Sequence, residues 1–356
     1  MILLNPGPVN VSPRVRAALQ RDDLCHREAE CSALLGRIRA RLLRAFAPRG
    51  GFVAILMTGS GTAALEAAVT SVLSEGGRLL VVANGVYGER MAAMAAAARL
   101  PHSVAHGPWT VPPSLDQVEA AMRDPEVEAV AIVQHETTTG LRNPVAEVGR
   151  LARVHGKLLL VDAISALGGE ALDLEGVGAD LVVGTAAKCI QGVPGMSFVL
   201  VREDAMARLV THPRRSLYLS LAAYHEAEVQ GSTPFTPAVQ VAYALDEALA
   251  ELLEEGVGAR IARYAAAAAL LRAGFSRLGL SCLLPREQCS NSVTALWLPP
   301  GKSYAELHDG LKARGFVIYE GRGHLQREIF RVANMGHLTR HDFERFLVAL
   351  EEVRRA

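Results

Sequence analysis

The chain has 356 residues, half of them hydrophobic and 21% charged, with 37 basic and 37 acidic side chains. That length has room for a large domain, a smaller one and a sizeable core. The charge balance excludes a nucleic-acid binder that works through a basic surface, and no apolar run approaches the ~18 residues of a membrane helix. The start, Met1 to Pro8, lacks the basic and long apolar regions of a secretion signal. Five cysteines at 25, 31, 189, 282 and 289 include no C-x-x-C pair, so reduced thiols and a cytoplasmic protein are expected. Cys25-His26 with Glu28 and Glu30 does not match the ligand spacing of a metal site, and no metal is expected.

In chain order, the first apolar strand is predicted over 52–57. It runs into Thr58-Gly59-Ser60-Gly61-Thr62 and a helix-like 63–68. Backbone N–H groups at a helix start, with glycines permitting close approach, make an anion site. Gly59 to Ala64 also fits the dinucleotide fingerprint G-x-G-x-x-A. That fingerprint expects an acid at the end of the second strand, and the strand at 78–83 ends Ala83-Asn84-Gly85 without one.

Further strands are predicted over 128–134, 157–162, 180–184 and 197–201, with helices over 115–123 and 145–155 between them. Strand–helix alternation with near-continuous apolar strands predicts a mainly parallel sheet covered by helices on both faces. Such sheets bind ligands at the carboxyl ends of their strands. Asp162 stands at one such end, Lys188 just beyond the next, and the 58–62 loop at a third. A lysine sheltered there is pushed toward its neutral form, which can hold an aldehyde as a Schiff base. A carboxylate keeps a pyridine nitrogen protonated. Lysine, acid and phosphate cradle together predict pyridoxal phosphate.

Long helices are predicted over 239–254 and 259–278. Strands at 293–298, 316–319 and 329–332 follow, with helices at 304–312 and 340–353. This predicts a large α/β domain over 15–265 and a small α+β domain over 266–356, with 1–14 packing against the site or the small domain.

The chain resembles the class V, fold-type I pyridoxal-phosphate aminotransferases over almost its whole length. The resemblance rests on Asn5-Pro6-Gly7-Pro8-Val9, Gly59-Ser60-Gly61, Asn84-Gly85-Val86-Tyr87-Gly88 and Glu136-Thr137-Thr138-Thr139-Gly140. It continues in Val161-Asp162-Ala163, Lys188 through Gly195, Gly315 through Tyr319 and Phe330 through Gly336. The Glu136 and Lys188 runs are similar to the branch that passes the amino group of 2-aminoethylphosphonate to pyruvate in phosphonate catabolism. That branch takes a phosphonate amine as donor and a keto acid as acceptor.

The resemblance implies that Lys188 carries the cofactor and then moves the proton, and that Asp162 pairs with the pyridine nitrogen. Tyr87 lies over the cofactor face and Thr137 meets its ring hydroxyl. Ser60, Gly61 and Thr62 hold the phosphate, and Thr236 reaches the phosphate of a partner subunit, implying a homodimer with the site at the subunit interface. Arg331 receives the substrate's acidic group. A phosphonate, carrying more charge than a carboxylate, wants a second donor, for which His26 and Arg27 are the candidates. The family usually has Asn or Gln before the lysine, where this chain has Ala187, and Thr185 or a water is expected to replace that donor. Alternative readings are an alanine– or serine–glyoxylate aminotransferase and a lyase or desulfurase using Cys282 or Cys289. A non-catalytic binding module would have no need of Lys188 and Asp162 together.

Overall fold

A computed structural model describes residues 1–355 of the chain. Seven strands form the central sheet. Their spatial order is Phe52–Thr58, Met196–Arg202, Leu181–Thr185, Leu158–Asp162, Val127–Val133, Arg78–Ala83 and His102–His106. Met196–Arg202 runs antiparallel to both neighbours, and the pairings from Leu181–Thr185 to His102–His106 are all parallel.

The apolar strands are buried on both faces because successive side chains point to opposite layers. Leu159 and Val161 enter the layer of helices Ala29–Phe46, Leu115–Met122, Val145–Val154 and Val239–Glu255. Leu158 and Leu160 enter the other, built on Gly61–Ser71, Val86–Ala97, Glu203–Leu209 and Leu221–Val229. Each such side chain contributes about 1.5–3 kcal/mol by burial. The result is an α/β/α sandwich whose carboxyl-end edge gathers Thr58, Asp162 and Thr185.

Helices Ala29–Phe46 and Leu221–Val229 stand outside the sequence expectation, and two strand regions also depart from it. His102–His106 pairs along Arg78–Ala83 as the edge strand. Its His-Ser-Val-Ala-His sequence is half-exposed and carries little apolar signal. The expected strand at 316–319 divides. Phe316–Val317 pairs in parallel with Ile2–Leu3, while Tyr319–Glu320 joins Ile329–Ala333. Ile318 between them turns into the core.

A three-stranded antiparallel sheet, Val293–Trp297, Ile329–Ala333 and Tyr319–Glu320, packs on helices Tyr304–Ala313 and Arg340–Arg355 and on the later turns of Val257–Arg277. Leu4 from the amino-terminal segment is buried in the same core, and Ala333 N donates to its carbonyl at 2.8 Å. Ser303 and Glu306 form a reciprocal cap at the start of Tyr304–Ala313. No helix among the described residues is long and apolar enough to cross a membrane.

Candidate active site

The loop after Leu181–Thr185 is held from three sides. Gly192 N donates to Ala186 O at 2.8 Å, and Gln191 adopts a left-handed φ of 68°. The Gln191 side chain donates to the Tyr264 hydroxyl and to Gly336 O, each at 2.8 Å, and Arg260 donates to Cys189 O. Lys188 is thereby fixed between the large sheet and the end of the Arg331 strand. Its Nζ donates to Pro6 O. Burial pushes the Lys188 amine below the ordinary lysine range, against the opposing pull of Tyr87 and Asp162, and so favours its nucleophilic form.

Gly7 lies directly on this lysine. A Cβ there would stand 2.6 Å from Nζ, and φ is +89°. Gly7→Ala is expected to cost about 1–3 kcal/mol in strain and overlap. That corresponds to a fall in Tm of roughly 2–6 °C by thermal denaturation.

Asp162 is buried, and its Oδ1 accepts from Ile164 N at 3.0 Å. Burial pushes this carboxyl up to about 7; nearby Glu136 pushes the same way, and Arg90 and Lys188 oppose it. Beside it, Gly59 N is tied to Gly195 O at 2.8 Å and helix Gly61–Ser71 begins. Ser60 caps this helix without a side-chain hydrogen bond, leaving first-turn N–H groups directed outward. A Cβ at Gly61 would meet Ile164 at 2.9 Å, so glycine permits the close packing of this turn. Arg90 reaches the Thr62 hydroxyl at 3.5 Å and stacks over the Tyr87 ring at 4.7 Å. The buried Thr137 hydroxyl has no hydrogen-bond partner in the chain.

This donor set fits pyridoxal phosphate. A buried carboxylate suits a protonated ring nitrogen, a helix start with an adjacent arginine suits a phosphate, and an unpartnered hydroxyl suits a ring oxygen. A lysine of lowered pKa suits an aldehyde.

Three residues of the site are given no role by the sequence reading. Arg90 lies one turn along the helix from Tyr87. Glu136, fully buried, accepts from Tyr87 N, Gly88 N and the Thr138 backbone and hydroxyl, so it fixes the start of Val86–Ala97. A Cβ at Gly85 would come 2.3 Å from its carboxyl carbon. His135 is buried, with its pKa lowered to about 4, and its Nδ1 faces Ser165 O. The one signal for the last two is the polar run His135-Glu136-Thr137-Thr138-Thr139 straight after an apolar strand.

Thr185 donates its hydroxyl to Met196 O at 3.2 Å, so its proton is engaged within its own hairpin. Thr236 is exposed. His26 and Arg27 precede helix Ala29–Phe46, on the edge where Gln240 bonds Asp23 and Ser32 bonds Gly231 O. That edge is shared with Thr236, and neither His26 nor Arg27 lines the cavity at Arg331.

Arg331 is 1% exposed. Its Nε donates to Glu320 O at 2.9 Å and its Nη1 to Thr137 O at 2.8 Å. It forms part of a cavity of about 670 Å³ with Val86, Tyr304, Tyr319 and Arg322. Cys282 and Cys289 both have their thiols pushed up by burial, opposite to the direction a desulfurase nucleophile needs.

The sequence model of the family "Aminotransferase class-V" matches residues 25–345. A 2-aminoethylphosphonate–pyruvate transaminase of Syntrophobacter fumaroxidans is 39% identical over 99% of this chain and 95% of its own length. Among solved structures, the alanine–glyoxylate aminotransferase of a Nostoc species superposes with a TM-score of 0.93 at 28% identity, over 99% of this chain and 95% of its own. A subgroup IV aspartate aminotransferase of Thermus thermophilus superposes with a TM-score of 0.91 at 29% identity, over 100% of this chain and 99% of its own.

Proposed function

The chain belongs to the class-V aminotransferase family, and from that footing we propose that it passes the amino group of 2-aminoethylphosphonate to pyruvate, giving phosphonoacetaldehyde and L-alanine. The observation that carries the choice of substrates is the 36–39% identity, over 98–99% of the chain, to several transaminases of that name.

Pyridoxal phosphate, when bound, supplies an aldehyde that condenses with amines and a ring that takes up the electrons left when a proton is removed. Lys188 Nζ would hold the cofactor and, once free, take the proton from the donor carbon. Asp162 would keep the ring nitrogen charged, and Tyr87 would cover the ring. Thr137 would meet the ring hydroxyl, to which its unpartnered Oγ1 is suited.

Ser60, Gly61 and Thr62 would bind the phosphate, with Arg90 beside them in place of the donor that Ala187 lacks. The Thr185 hydroxyl, expected to stand in for that donor, instead gives its proton to Met196 O. Arg90→Gln is expected to weaken cofactor binding about tenfold, read from quenching of protein fluorescence on titration with pyridoxal phosphate.

Arg331 would take the acid of donor and acceptor alike, since a guanidinium fork suits both a carboxylate and a phosphonate. A cytoplasmic homodimer with the site at its interface belongs to the same proposal. Thr236 is exposed beside the aromatic cluster of Tyr218, Tyr224 and Phe235, and next to it Leu217 is 85% exposed. His26 and Arg27 share that edge and would serve a partner's site. The division at 265/266 falls within helix Val257–Arg277, whose later turns pack in the small core. The small domain is taken to 356, a residue outside the described ones.

The test is product formation. Wild-type protein given 2-aminoethylphosphonate and pyruvate is expected to yield phosphonoacetaldehyde and alanine in equal amounts. Faster turnover of alanine or serine with glyoxylate would transfer the chain to the glyoxylate aminotransferases.

A further inference from the structure

We propose that Arg322 is the second cation that binds the phosphonate of the amino donor, beside the acid site at Arg331. This deepens the function proposed above and rests on that choice of donor.

The donor's shape sets the requirement. Its phosphorus lies one bond farther from the amine than the carboxyl carbon of alanine does, about 1.5 Å. It is tetrahedral with three oxygens, whereas a carboxylate is flat with two. By analogy with a phosphate monoester it carries about 1.5–2 negative charges near neutral pH. Arg331 has five N–H donors, and two are already given to Glu320 O and Thr137 O. The remaining fork satisfies a carboxylate. A phosphonate has an oxygen and a charge left over.

Arg322 and Arg331 line the same cavity of about 670 Å³. Among the described residues, the Arg322 guanidinium enters no ion pair and no side-chain hydrogen bond, so it is available to a ligand. Burial is the main reason the Arg331 pKa is lowered, and the Arg322 charge pushes the same way, an approach of two cations that an anion between them relieves. The opposing charge at this cavity is Glu320, exposed and accepting from Gln326 Nε2 at 3.2 Å. Two guanidiniums therefore face one carboxylate among the lining residues, while Glu136, buried and with its pKa raised by desolvation, also pulls on Arg331.

The segment that carries Arg322 is anchored. His324 packs on Trp109 with ring centroids 4.4 Å apart, and Trp109 Nε1 donates to Glu89 at 2.8 Å. Gly323 has φ +53°, and a Cβ there would lie 2.5 Å from the Trp109 ring. Trp109 O in turn accepts from Thr139, in the run that holds Glu136 and Thr137. The backbone that carries Arg322 is therefore held by the same frame that orders the cofactor residues, while its side chain stays exposed.

The experiment is single-turnover reaction of the cofactor-loaded protein with each amine alone, followed by visible absorbance, for wild type, Arg322→Gln, Arg322→Lys and Arg27→Gln. Arg322→Gln is expected to lower the second-order rate constant for 2-aminoethylphosphonate about tenfold to hundredfold, mainly through weaker binding. The constant for L-alanine is expected to fall less than about threefold, and Arg322→Lys to restore part of the loss. Equal losses on both amines, or none, would overturn the assignment. So would a selective loss in Arg27→Gln with Arg322→Gln unaffected. A wild type that converts alanine but not the phosphonate would overturn the donor assignment and this proposal together. A wild type that converts both, with an unselective Arg322→Gln, would overturn this proposal alone.

Discussion

Lys188→Ala is expected to abolish measurable amino transfer while leaving the fold intact. Loss of the proton relay alone accounts for about 10²–10⁴-fold, and loss of covalent attachment adds to it. The side chain projects from a loop whose shape is set by Gln191, Arg260 and Tyr264, so its removal takes away one backbone-directed hydrogen bond, to Pro6 O. The measurement is steady-state turnover beside borohydride reduction and peptide mapping. Wild type is expected to carry the reduced cofactor on Lys188, and the variant to carry none. Residual turnover within tenfold of wild type would place the reacting amine elsewhere.

The second large effect is expected in Asp162→Asn. In the folded chain the Asp162 carboxyl titrates near 7 because it is buried, well above the ordinary aspartate value of about 4. Between these two values the folded state binds the proton more tightly than the unfolded one. Stability from this group is therefore fully present below about pH 4 and is lost as pH rises through 7. Asparagine has no charge to desolvate. The ligand-free variant is expected to melt higher than the ligand-free wild type at pH 8 and to match it near pH 4. A positive ring nitrogen reverses the balance, since it meets a buried carboxylate in wild type and a neutral amide in the variant. Removing one partner of such a pair costs about 3–5 kcal/mol, so kcat/KM is expected to fall roughly 10²–10⁴-fold. Higher melting with unchanged activity would show that Asp162 does not face the cofactor ring.

Both residues are legible in the sequence, and the reason is geometrical. A parallel sheet buried on two faces writes its strands as unbroken apolar runs, and the carboxyl end of each run is then visible as the first polar or glycine residue. Asp162, Lys188 and the 58–62 loop stand out in that way, each at or just beyond the end of such a run.

What the sequence hides is what depends on contacts distant along the chain. His102–His106 is a strand because Arg78–Ala83 offers it a free edge, and its own side chains supply almost no pattern. The 316–319 run reads as one strand, but one pair of its residues meets the amino terminus while Tyr319 meets Ile329–Ala333. Arg90 and Arg322 look like ordinary surface arginines among 37 basic residues. Only folding sets one beside Thr62 and the other in the cavity of Arg331.

The most direct test of the central claim is the visible absorption of the cofactor-loaded wild type before and after 2-aminoethylphosphonate is added without any keto acid. The yellow band of the lysine-bound cofactor is expected to be lost, with one phosphonoacetaldehyde formed per site, and pyruvate is expected to restore the band. A band unmoved by the phosphonate but discharged by alanine or serine would contradict the substrate assignment. No band after incubation with pyridoxal phosphate would contradict the cofactor itself.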